Sequence, residues 1–97
     1  MGHEILLAPE AVEDLRGLRA HLRATVRDAI ERHLRHEPRK TSRSRIKRLR
    51  GLRRPQYRLR VDEIRVYYDV VENRVEVLAI VTKAEGAKWP ERIGGGK

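Results

Sequence analysis

Apolar residues recur along this chain in two rhythms, and the change from one to the other separates a helical N-terminal part from a strand-forming second half. His3 to Ala8, with four consecutive apolar residues from Ile5, reads as a short first strand, closed by Pro9. Pro9-Glu10-Ala11 then opens a helix. Proline in the first turn gives up an N–H that has no helical partner, and Glu10, Glu13 and Asp14 lie toward the positive end of the helix dipole. Val12, Leu15, Leu18 and Leu22, continued by Val26, Ile30 and Leu34, keep helical spacing and form one apolar stripe. Gly17 divides this stripe into two helices, about 9–18 and 20–36, folded as an antiparallel hairpin, and Pro38 ends the second. After a solvated loop, Arg39 to Arg45, the anchors Ile46, Leu49 and Leu52 leave room for one short strand near Ile46 to Leu49. Period-two alternation begins at Tyr57. Tyr57, Leu59 and Val61 alternate with Arg58 and Arg60, and Ile64, Val66, Tyr68 and Val70 alternate with Arg65, Tyr67 and Asp69. Asp62-Glu63 is the two-residue turn between them, without the favoured glycine. Arg74 to Thr82, entered through a turn at Glu72-Asn73, is apolar on both faces and reads as an interior strand covered by the helices on one side.

The expectation is therefore an α+β fold in the order β-α-α-β-β-β: one antiparallel sheet packed against an N-terminal helical hairpin, with a short C-terminal segment of one or two helical turns from Lys83 to Arg92. Residues 1–92 form a single domain and 93–97, with their triglycine, a disordered tail. Composition narrows this. With no phenylalanine and one tryptophan, the core must come from Leu, Ile, Val and Ala with help from tyrosine. The absence of cysteine excludes disulfide scaffolds and thiol chemistry and favours a reducing cytoplasm. No stretch approaches the roughly 20 apolar residues of a membrane span.

Charge changes the picture more. The chain carries 23 Lys and Arg against 14 Asp and Glu, a formal +9, and eleven of the basic residues fall between Pro38 and Val61 without a single acid. That pattern fits a nucleic acid best, although an anionic membrane or an acidic protein would also be attracted. Arginine predominates, and its planar fork matches phosphate geometry. If Asp62-Glu63 is the hairpin tip, Arg60 lies opposite Arg65 and Arg58 opposite Tyr67, on the sheet face away from the helices. Like charges paired across a ladder are unfavourable, so such a face makes sense if an anion binds there; the bland alternative is an ordinary solvated surface. Three guanidiniums and a phenol suit a phosphodiester whose charge grows under attack. The arginines cannot accept a proton, which leaves Tyr67, with a pKa lowered by the surrounding cations, Lys83, Glu85 or Lys88 as candidate bases. Lys47, Arg48, Arg50, Arg53 and Arg54 in the basic stretch, with Lys88 and Trp89, are candidate RNA contacts. Trp89 would either stack on a base or seal the core. His33 and His36, at i and i+3, lack a third ligand, so they read as surface residues; neither a metal nor a cofactor is expected.

Ala8-Pro9-Glu10-Ala11 with Asp14-Leu15, Arg48-Leu49-Arg50-Gly51-Leu52, Tyr57-Arg58-Leu59-Arg60-Val61 and Arg65-Val66-Tyr67-Tyr68, in this order and spacing, resemble the RelE/ParE toxin superfamily from about residue 4 to 90. The resemblance implies a type II toxin–antitoxin system. Its RelE-like branch implies a cytoplasmic mRNA endonuclease acting in the ribosome, in which the RNA 2′-hydroxyl attacks the neighbouring phosphate. Arg58, Arg60 and Arg65 then correspond to the basic sheet residues, and a cognate antitoxin covers them. The chain departs from that pattern after its last strand: Lys83-Ala84-Glu85 and Trp89 stand where RelE-like members carry an arginine and then a tyrosine, and no tyrosine follows Tyr68. Two other readings stay open, a ParE-like inhibitor of DNA gyrase without nuclease chemistry and a non-enzymatic nucleic-acid-binding module.

Overall fold

A computed structural model describes residues 2–51 and 54–84. The first strand, β1 (Glu4–Leu7), leads into helix α1 (Pro9–Arg16), a short break at Gly17, and helix α2 (Ala20–Ala29), which runs on as a π-helical turn, Ile30–Leu34. The strands β2 (Ile46–Arg48), β3 (Tyr57–Val61), β4 (Ile64–Val71) and β5 (Arg74–Thr82) follow. They form one five-stranded sheet in the order β1-β5-β4-β3-β2. The expected α+β class and element order are present, including the short strand at Ile46. One feature differs. The sheet is mixed rather than antiparallel, because β1 pairs in parallel with β5 (Ile5 beside Val75, Leu7 beside Val77). The whole chain between them, with both helices, serves as the crossover that a parallel pair requires.

The two tight turns set the hairpins. Asp62 at φ 53° and Glu72 at φ 56° take left-handed conformations, which aspartate tolerates better than most non-glycine residues. The helix-facing side of the sheet carries Tyr57, Leu59, Val61, Ile64, Val66, Tyr68, Val70, Val75, Val77 and Ile80, closed over by Ala11, Leu15, Val26, Ile30 and Leu34. Ala11, without a place in the predicted stripe, is fully buried, whereas Val12 and Leu22 are only half-buried.

β5 does not alternate in sequence because it contains a bulge. Tyr68 pairs with Val77 but Tyr67 pairs with Ala79, leaving Leu78 as an extra residue. Past Val77, β5 has also outrun β1, and the Ile80 N–H on that side is taken by the Asp14 carboxylate at 3.0 Å. Asp14, read from sequence as a helix-dipole residue, thus ties α1 to the sheet. Asp14→Ala strands this amide and is expected to cost about 1–3 kcal/mol in urea denaturation, while Asp14→Asn, which retains an acceptor, loses much less.

Candidate nucleic-acid interface

The hairpin register places the sequence-predicted cluster on one surface. Arg58 lies opposite Tyr67 and Arg60 opposite Arg65; one strand outward, Lys47 pairs with Arg58. These side chains occupy the sheet face that the helices leave open. Two cross-strand rows result. Lys47, Arg58, Tyr67 and Ala79 form the first, and Arg60, Arg65 and Val81 the second.

The residues of the face sit at different depths. Arg60 is exposed and Arg58 half-buried. Arg65, expected on the surface, is only 7% exposed. Its Nη1 donates to the carbonyls of Asp62 (2.9 Å) and Ile64 (3.2 Å), so the buried cation folds back on its own turn and stiffens it. Burial, followed by the charges of Arg58 and Arg60, lowers the Arg65 pKa, with Glu63 opposing; arginine nonetheless stays charged at any physiological pH. No ion pair is formed by Arg58, Arg60 or Arg65 among the described residues. The Arg58 Nε is buried with no hydrogen-bond partner among the described residues. A buried donor without a partner is costly, and on a face already crowded with cations it marks a place suited to an anionic acceptor.

Tyr67 is 4% exposed and packs with Ala79, Val81, Leu49 and Leu78 in a small apolar cluster beside the arginines. Burial raises its pKa, and this outweighs the lowering by Arg58 and Arg65. The expected lowering is therefore reversed: desolvation of the phenolate wins over the nearby cations. Tyr68, on the helix side, is raised further by burial and by Tyr57. Both phenols have folded-state values above the ordinary 10.0. The linked stability is complete below that pH and is lost as pH rises from there toward the folded-state values. The expected outcome is alkaline unfolding coincident with phenolate formation, followed by absorbance; independent titration of both phenols in a still-folded protein would contradict it.

The remaining predicted contacts separate. Lys83 is exposed at the end of β5, where its backbone N–H donates to the Glu63 carbonyl at 2.7 Å, beside the β3–β4 turn and hence near Arg60 and Arg65. Lys47 faces the arginines. Arg50 is exposed in the loop before Gly51, whose φ of 79° only glycine adopts freely. Arg48 pairs with Tyr57 in the ladder and lies over the Tyr57 ring, 5.2 Å from its centroid, which places it away from the cluster. Arg54 is engaged within the protein: its Nε donates to the buried Asp69 carboxylate at 2.7 Å, and Glu76 lies 3.9 Å from its Nη2. Asp69 also accepts the Gln56 N–H at 2.7 Å, while the Gln56 side chain accepts the Val70 N–H at 2.9 Å. This latch anchors the basic loop to β4. Pattern reading passed over it, because Asp69 looked like one more outward residue of an alternating strand. Arg53, Glu85, Lys88, Trp89 and the tail 93–97 lie outside the described residues. Among the described residues no group of His, Asp and Glu is placed to hold a metal ion, and no helix is long and apolar enough to cross a membrane.

A helical hairpin on one face of a mixed five-stranded sheet, with a cluster of arginines on the other, defines a class of small basic α+β proteins. The sequence model of the ParE toxin of type II toxin–antitoxin systems matches residues 5–86, and the chain belongs to that family, within the RelE/ParE superfamily. It is a toxin of a type II toxin–antitoxin system with the RelE/ParE fold. Solved structures agree on the fold. A free Escherichia coli RelE variant with two arginines replaced by alanine superposes with TM-score 0.73 at 20% identity, covering 97% of each chain. A chain of the Mycobacterium tuberculosis RelBE2 toxin–antitoxin complex gives 0.70 at 21% identity, covering 84% of this chain and 99% of its own. One from the Methanococcus jannaschii RelB–RelE complex gives 0.66 at 21%, covering 87% and 96%. No curated protein sequence matches significantly.

Proposed function

We propose that the protein is a cytoplasmic, ribosome-dependent mRNA endonuclease whose arginine face binds the scissile phosphate and is neutralised by a cognate antitoxin. The carrying observation is the set of cations Arg58, Arg60 and Arg65, which form no ion pair among the described residues, with the buried Nε of Arg58 left without a hydrogen-bond partner among them. In the reaction the RNA 2′-oxygen attacks the adjacent phosphorus and the bond to the 5′-oxygen breaks, giving a 2′,3′-cyclic phosphate and a 5′-hydroxyl. The extra negative charge on the pentacovalent phosphate is met by Arg58 and Arg60, with Arg65 behind them fixing the turn. These donors act most strongly on charge that develops during attack, which is what lowers the barrier. The protein supplies no nucleophile. The 2′-hydroxyl proton goes to the Glu85 carboxylate or to Lys83 as its neutral amine, and the leaving 5′-oxygen takes a proton from water. Tyr67, with its raised pKa, holds its proton and forms the apolar wall beside the arginines against which the phosphate rests. Lys47 and Arg50 add sequence-independent attraction along the strand, and Arg53, Lys88 and Trp89 are proposed to extend the contact. An antitoxin partner is supported by the toxin–antitoxin complexes among the similar structures.

A second reading, inhibition of DNA gyrase without nuclease chemistry, is favoured by the family match itself, which is to the ParE toxin. Induction of the toxin with two readouts, protein synthesis and primer-extension mapping of a translated message, separates the two. Translation arrest with cuts inside codons supports the nuclease. Growth arrest with intact message and damaged DNA overturns it in favour of gyrase.

A further inference from the structure

A cavity of about 190 Å³ opens between the π-helical turn and the loop that leads into β2, and it shares no residue with the arginine face. Its lining includes Arg32, Lys40 and Arg45 with a single acid, Glu37. Two of the cations are partly committed: Arg32 lies 2.9 Å from Asp28, and Lys40 only loosely, 3.8 Å, from Glu37. Arg45 forms no ion pair among the described residues. Its charge is nonetheless felt inside the cavity, since His33 is held below the ordinary imidazole value by burial, then by Arg45 and Arg32, against a weaker opposite pull from Asp28.

The loop is built rather than loose. Ser42 N–H donates to the Ile46 carbonyl at 2.9 Å, and Ser42 Oγ accepts the N–H groups of Arg45 (3.0 Å) and Ile46 (3.3 Å). With both lone pairs of its oxygen occupied, the Ser42 hydroxyl has only its hydrogen left to offer, and it offers it as a donor. The same bonds fix the Arg45 backbone at the mouth of the cavity. The His33 and His36 rings complete the lining, and a neutral imidazole has one ring N–H it can turn toward a bound group. Three cations against one acid, with a hydroxyl left to donate and imidazoles able to, make a lining of net positive charge, which is the chemistry that recognises a tetrahedral oxyanion.

We propose that this cavity is a second anion site that binds a phosphate group, held by Arg45 and Lys40 with donors from Ser42 and His33. Binding draws Lys40 off its long contact with Glu37. The phosphate belongs either to a nucleic-acid backbone or to a free phosphorylated small molecule. The site stands independently of the nuclease reading.

The test is a titration of the full chain with inorganic phosphate at constant ionic strength, following the His33 and His36 ring resonances by NMR. Saturable shifts in the wild type are expected, weakened about tenfold or more in Arg45→Gln and Arg45→Glu and unchanged in Arg60→Ala, which alters only the open face. Shifts that rise linearly as with chloride, or saturation retained in both Arg45 variants, overturn the site. Folding of each variant is checked by its amide spectrum. A single-stranded oligoribonucleotide and pyrophosphate, each used against the same resonances, then identify the source: tighter binding of the oligonucleotide assigns a backbone phosphate, and tighter binding of pyrophosphate a free one.

Discussion

Arg58→Ala is expected to slow RNA cleavage by about 10²–10³-fold while leaving the protein at least as stable as before. Among the described residues Arg58 makes no ion pair and its Nε is buried without a partner, and its charge disfavours the protonated form of Arg65. Removing it relieves both penalties, so the midpoint of urea unfolding should hold or rise. The same change takes away a donor aimed at the charge that develops on the phosphate. Losing one such donor costs about 10²–10³-fold in turnover. A loss of activity at constant stability is the signature of a group retained for binding at some expense to the fold. Cleavage of a translated message and urea denaturation are measured on the same preparation. Full activity in Arg58→Ala would remove this residue from the site, and a large drop in stability would show that it serves the fold. Arg65→Ala is a poorer probe. Its guanidinium is buried and hydrogen-bonded to the β3–β4 turn, so truncation perturbs the hairpin along with the charge.

Tyr68→Ala should have the largest effect on folding. The ring is fully buried and stacked on Tyr57, with centroids 5.4 Å apart and planes 15° from parallel, and the hydroxyl donates to the Pro38 carbonyl at 2.7 Å. Truncating a buried aromatic costs about 3–5 kcal/mol, and a domain of this kind has only about 5–15 kcal/mol in total. Tyr68→Phe isolates the hydroxyl. It leaves the stack and deprives a buried carbonyl of its donor, for about 1–3 kcal/mol. That bond fixes the point where the chain leaves the helices and enters the basic loop, so Tyr68→Phe should loosen residues 39–45 first, seen as faster amide exchange there than in β4. Uniform acceleration across the sheet would show that the bond holds the core as a whole and not the loop.

Much of the candidate site was legible in the sequence because it lies on one hairpin. A two-residue turn at Asp62-Glu63 leaves a single register, and period-two alternation then puts Arg58, Arg60, Arg65 and Tyr67 on one face. The helical stripe, the β-α-α-β-β-β order and the short strand at Ile46 follow equally from local spacing and turn chemistry. The tertiary structure decided whatever depends on partners distant in sequence. β1 could only be called a strand, since nothing near it says that it closes on β5, 70 residues away in the ladder between Glu4 and Arg74, and in parallel. The bulge at Leu78 hid in a run of apolar residues. Arg48 and Arg54 carried the same apparent promise as Lys47, until the fold set one over the Tyr57 ring and latched the other to Asp69. The same holds for electrostatics. Sequence could count the cations around Tyr67, but the sign of its pKa shift depended on Ala79, Val81, Leu49 and Leu78 closing over the phenol and excluding water. Charge is additive along a chain and can be read from it, whereas desolvation is a property of the packed neighbourhood and exists only once the chain has folded.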